Sequence, residues 1–178
     1  MPAKSATSPW VIAAFLLLGV ASRLAPHPWN ATPLTAIALF GGTYLSRRWA
    51  ILLPWSAVAL SDLVLGWHQT IPFTWGAMIL TGFIAWWLRA RPSIGRTVTA
   101  SLAGSCLFFM VTNFGVWLVG GLYPGTGEGL RQCYVAAIPF FRSTVIGDLA
   151  YTAALFGGYA VWRRCTSFSW GCRPASPS

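Results

Sequence analysis

The chain has 178 residues, of which 56% are hydrophobic and only 8% charged, where a soluble domain usually carries about 25% charged residues. So little polar material excludes a water-covered globule and points to an all-α, polytopic membrane bundle of about six transmembrane helices. The net charge of +9 does not mark a nucleic-acid partner, because the twelve Lys and Arg lie mostly between apolar runs and not on one face within them.

Apolar runs fall at about 9–25, 33–46, 49–67, 72–88, 98–121 and 141–162, a single transmembrane domain over 1–165 followed by a Ser-, Pro- and Arg-rich tail, 166–178, expected to be disordered and cytoplasmic. The first run has signal-like features in Lys4 and Ala21-Ser22. Arg23 beside any cleavage point, and the direct passage into a second apolar segment, favour a retained helix. The second run is short for a crossing of about 20 residues and is expected to start re-entrantly or to sit inside the bundle. Its Ala38-Leu39-Phe40-Gly41-Gly42, followed by Arg47-Arg48, is echoed by Ala154-Leu155-Phe156-Gly157-Gly158 and Arg163-Arg164. Apolar, Gly-rich sequence produces such matches by chance, and Gly pairs let helices approach closely. Between the fifth and sixth runs lies a Gly-rich loop, 120–129, then a short interfacial helix at 130–139 that Pro139 bends into the last span.

Alternation of six spans puts Lys4, Arg47, Arg48, Arg89, Arg91, Arg96, Arg163, Arg164 and Arg173 on one side and only Arg23, Arg131 and Arg142 on the other. The positive-inside rule then predicts a multi-pass protein of a bacterial cytoplasmic (inner) membrane with both termini cytoplasmic. Trp10, Trp29, Trp49, Trp67, Trp86, Trp87 and Trp162 fall near predicted helix ends, as an aromatic belt would. Cys106, Cys133, Cys165 and Cys172 lack metal-ligand spacing, and Cys106 reads as a small packing residue.

Ionisable groups at membrane depth are costly and need partners or water. Counted from the nearest cytoplasmic Arg, Asp62, Asn113 and Asp148 lie about 21, 25 and 24 Å along their helices, nearly one level in the outer third of the bilayer core. Asn30, His27, His68, Tyr123 and Arg142 join that layer from above. Thr144, Asp148, Tyr151 and Thr152 share one helix face, and so do Asn113 and Trp117. Aromatic walls with a few convergent polar groups describe a small-ligand pocket opening outward. Two other readings fit the same residues. Asp62 or Asp148 can pair with Arg23 or Arg142 and lock the bundle for a structural or assembly role, or the two carboxylates can serve a membrane enzyme. No nucleotide, cofactor or hydrolase motif supports an enzyme, and none is expected.

The segments Pro28-Trp29-Asn30-Ala31-Thr32-Pro33, Leu53-Pro54 with Ser61-Asp62, Thr112-Asn113-Phe114-Gly115-Val116-Trp117 and Ile138-Pro139-Phe140-Phe141 together resemble an uncharacterised bacterial family of small membrane proteins assigned to transport. That family is similar in turn to the substrate-binding S components of energy-coupling-factor transporters. The resemblance implies a six-helix subunit that captures a vitamin or metal ion near the outer face. It also implies a coupling membrane subunit and ATPases as partners, with Asn30, Asp62, Asn113, Trp117 and Asp148 in the pocket. The Ala-x-x-x-Ala docking spacing of S components is missing from the cytoplasmic half of the first helix and occurs at its other end, Ala21 and Ala25. The leading expectation is a membrane protein that binds and takes up a small solute through Asn30, Asp62, Asn113, Trp117, Tyr123, Arg142 and Asp148.

Overall fold

The computed structural model of the chain describes residues 8–25 and 31–169, with side chains through residue 165. The described residues form six helices joined by turns: α1 Pro9–Leu24, α2 Leu34–Phe40, α3 Trp49–Leu65, α4 Ile71–Ala90, α5 Ile94–Val119 and α6 Gly127–Ser169. A π-helical turn, Gly41–Leu45, prolongs α2. α4, α5 and the Gly127–Cys165 part of α6 are long and apolar enough to cross a membrane, while α1, α2 with its π-helical turn, and α3 are shorter apolar helices.

The short second segment sits inside the bundle. Residues 33–43 are all buried, and α2 packs against α3, α4, α5 and α6. Small residues permit this. A Cβ on Gly42 would come within 2.6 Å of Ala85 Cβ and 2.7 Å of Ala50 Cβ. At Gly104 a Cβ would lie 2.7 Å from Thr35 Cγ2, so α5 approaches the first turn of α2 across a bare backbone. A π-turn shifts the backbone hydrogen bonds from four to five residues and disturbs the ladder. Arg89 compensates, donating from Nη1 to the carbonyls of Gly42 at 2.9 Å and Thr43 at 3.1 Å.

One end of the bundle gathers the basic residues. There Arg96 Nη2 donates to the Trp87 carbonyl, with its guanidinium 4.0 Å from that ring, and the Trp86 indole donates to the Arg47 carbonyl at 2.8 Å. The two segments of the sequence echo also meet at this end, with Phe40 and Phe156, equivalent positions in the echo, in edge contact at 5.5 Å. The opposite end carries the end of α1, the turn at 66–70 and the loop at 120–126.

Three sequence expectations change. The helix at 130–139 is not a separate interfacial element, because α6 runs unbroken from Gly127 with Pro139 inside it. Its register against α5 is not constant. Thr152 meets Ser101 and Asp148 meets Ser105, four residues against four, whereas Phe141 and Tyr134 both reach Phe109. The register of α6 against α5 thus changes over its first turns, while the helix itself continues through Pro139. The tail starts later than residue 166, since α6 continues to Ser169, and residues 170–178 lie outside the described residues. Cys106, expected to pack within the bundle, is exposed on the outer face of α5.

Candidate functional site

All six helices and the chain leading into α2 line a cavity of about 520 Å³ at the less basic end. This is within the range of small-molecule sites, about 300–1,000 Å³. Its apolar wall comes from Leu34, Leu65, Val116, Ala137 and the rings of Phe108, Phe109, Phe140 and Phe141. Its polar wall comes from Arg23, Thr32, Thr74, Thr112, Asn113 and Thr144. A side pocket of about 20 Å³ continues it inward, sharing Thr32, Leu34, Phe108 and Thr144 and adding Thr35, Met78 and Asp148. That is room for one water-sized group.

Asp148 is 3% exposed. Its Oδ2 accepts the Ser105 hydroxyl at 2.6 Å, and the Thr35 hydroxyl also hydrogen-bonds to it. Gly147 beside it lets α6 lie against Ala31, whose Cα a Cβ would approach to 2.9 Å. No cationic side chain pairs with Asp148 among the described residues. Asp62 is 2% exposed and differs in this respect. Arg23 Nη2 stands 2.8 Å from its Oδ1, and the Trp75 indole donates to its Oδ2 at 2.9 Å. Arg23 also donates to the Val58 carbonyl at 3.3 Å. The Asp62 carboxylate thus ties α1, α3 and α4 together behind the cavity wall, and the guanidinium it holds is what lines the cavity.

Asn113 lines the cavity, its Nδ2 donating to the Phe109 carbonyl at 2.8 Å. The other expected residues stand apart. The Trp117 indole donates to the Pro124 carbonyl at 2.9 Å and fastens the loop after α5. Tyr123 sits half-buried in that loop, and Arg142 is exposed on α6 without an ion pair among the described residues. His68 is exposed in the turn between α3 and α4, its Nδ1 3.3 Å from the Gly66 carbonyl. Asn30 and His27 lie outside the described residues.

The single polar level is also redrawn. Phe73 packs on Gly115, which puts Trp75, and with it Asp62, near Asn113. Asp148 instead faces Ser105, about 12 Å along α5 from Asn113. The basic residues used as markers are not level, because α6 extends past the start of α5. Counting from Arg164 therefore places Asp148 too far from the basic end.

Sequence reasoning did not place Arg23, Thr32, Thr74 and Thr112 in the site. Arg23 had a legible signal, a lone basic residue at the end of an apolar run with a buried acid available to it. The Thr residues had none, since isolated hydroxyls are common in apolar helices.

The class defined by these features is an all-helical bundle of apolar helices with a polar-floored cavity at one end. The chain belongs to a family of unknown function, DUF6580, whose model matches residues 3–169. Comparison with curated proteins and with solved structures found no match.

Proposed function

We propose that this protein is a multi-pass membrane subunit that binds a small solute in the cavity at its less basic end. The cavity itself carries the reading: about 520 Å³, walled by four Phe rings and by six polar side chains from four helices and the chain before α2. A bundle whose polar residues only lock helices would close on them and leave no such space.

The membrane setting is supported by an inverted distribution of polarity. Asp62, Asp148, Ser61, Ser101, Ser105 and Thr81 are buried, while Leu63, Val64, Ile146 and Val161 are 62–75% exposed. Helices satisfy their own backbone bonds and tolerate such an apolar exterior only against lipid. Trp10, Trp67, Trp87 and Trp162 stand exposed near helix ends, where an aromatic belt belongs. In this reading all six helices lie in the bilayer, the Arg-rich end faces the cytoplasm and the cavity opens outward. A separate coupling subunit with ATPases, as in transporters that use S components, would then drive release.

A locking role is favoured for one part of the polar layer, the Arg23–Asp62–Trp75 cluster, because its bonds are made within the bundle. The two roles are compatible, since the lock holds one wall of the cavity. The test is a thermal-stability screen of the purified protein against small metabolites, beside an Ala137→Trp variant that fills the cavity. Stabilisation of the native protein, lost in Ala137→Trp, is expected. Ligands that stabilise both equally would remove the cavity from the account.

A further inference from the structure

The hydrogen bonds already made around the cavity restrict what it can hold. A Thr hydroxyl has one proton to give and two lone pairs. Thr112 gives its proton to the Phe108 carbonyl at 2.8 Å, Thr144 to the Phe140 carbonyl at 3.1 Å and Thr74 to the Thr70 carbonyl at 3.4 Å. Each therefore shows the cavity a lone pair. The Asn113 amide is engaged through its nitrogen, so its oxygen remains an acceptor. These four groups present acceptors to the cavity, and its donors are Arg23, already engaged with Asp62 and the Val58 carbonyl, and Thr32.

Charge points the same way. The Arg23 guanidinium is balanced by Asp62 at 2.8 Å and, at the same end, Arg131 is paired with Glu128 at 2.7 Å, while Arg142, without an ion pair among the described residues, is exposed and lines neither space. The Asp148 carboxyl, at the floor of the side pocket, has hydroxyl partners and no counter-charge among the described residues. The side pocket admits one water-sized group, the size of an ammonium head. Phe108 lines both spaces and Phe109, Phe140 and Phe141 line the larger one, so aromatic rings, which attract cations, flank the way to Asp148.

From this convergence of unspent acceptors, aromatic rings and an unbalanced carboxylate we infer that the ligand is an organic amine. It enters with its ammonium group toward Asp148 and its apolar body among the Phe rings. This rests on the reading of the cavity as a binding site. An inorganic metal ion fits less well, since no group of three or more His, Cys, Asp or Glu side chains converges among the described residues.

Three probes of one shape test it: phenethylammonium, phenylacetate and phenethyl alcohol, titrated calorimetrically into the full chain in detergent against protein-free micelles. Phenethylammonium should bind at least about tenfold more tightly than either of the others. Asp148→Asn, which keeps an acceptor for Ser105 and Thr35, should cost about tenfold for the cation and little for the alcohol. Thr144→Val, which removes the acceptor that lines both the cavity and the side pocket, should weaken the cation several-fold and gives a second readout if Asp148→Asn fails to fold. Tighter binding of phenylacetate or the alcohol, or equal cation affinity in native protein and both variants, would overturn the amine assignment and leave the binding cavity standing. Failure of all three probes to bind would overturn both.

Discussion

Two buried carboxylates in one small bundle have opposite surroundings, and the contrast separates their roles. Asp62 is neutralised by Arg23 and hydrogen-bonded by Trp75, whereas Asp148 meets only hydroxyls. Removing one member of a buried ion pair leaves the other charge stranded and costs about 3–5 kcal/mol, while replacing both with apolar residues is often neutral. Arg23→Met should therefore lower the melting temperature of the purified protein sharply, and Arg23→Met with Asp62→Leu should recover most of the loss. A double variant as unstable as the single one would show that Asp62 matters for more than the pair. The residue types at these positions were readable from sequence because an acid in an apolar run must have a reason to be there. Which acid had a partner was not readable, because Arg23 and Arg142 were equally available and only packing brings Arg23 to Asp62. Trp117 was assigned to the cavity from its spacing with Asn113. Its indole instead turns to the Pro124 carbonyl, an acceptor that exists only once the loop has folded.

Among the elements, α2 is the one on which the arrangement depends. It is packed by all five other helices, and its first turn brings Thr35 to Asp148. Its close approach at the other end requires Gly42, so Gly42→Ala would drive a methyl into Ala50 and Ala85. Overpacking of this kind costs about 1–3 kcal/mol. Thermal unfolding should show the loss, and no loss would mean that α2 has room to shift. Arg89→Met should also destabilise by about 1–3 kcal/mol by leaving the Gly42 and Thr43 carbonyls without their donor, readable in the same assay. The six helices were legible as apolar runs, with ends within a few residues except in α6. The central place of α2 was one of two expectations its short length allowed. The π-helical turn and the unbroken passage of α6 through Pro139 were not legible. Both lie where tertiary contacts form: Arg89 bonds the carbonyls of the π-helical turn, and the first turns of α6 pack on Phe109 of α5.

At the scale of the whole molecule, charge and polarity are divided along one axis. Basic side chains collect at one end, the cavity opens at the other, and apolar side chains cover much of the surface between. In a cysteine-free background, Leu122→Cys, 77% exposed in the loop after α5, should react with a membrane-impermeant maleimide on intact cells. Ile94→Cys, 88% exposed at the start of α5, should react only after permeabilisation. The reverse pattern would invert the orientation and direct the cavity to the cytoplasm. The central claim is that the cavity holds a small solute, and native mass spectrometry of the protein purified in mild detergent tests it most directly. A discrete low-mass adduct on the native chain, absent from Ala137→Trp, is the predicted result. A native chain without adduct, or an adduct that survives filling of the cavity, would contradict it.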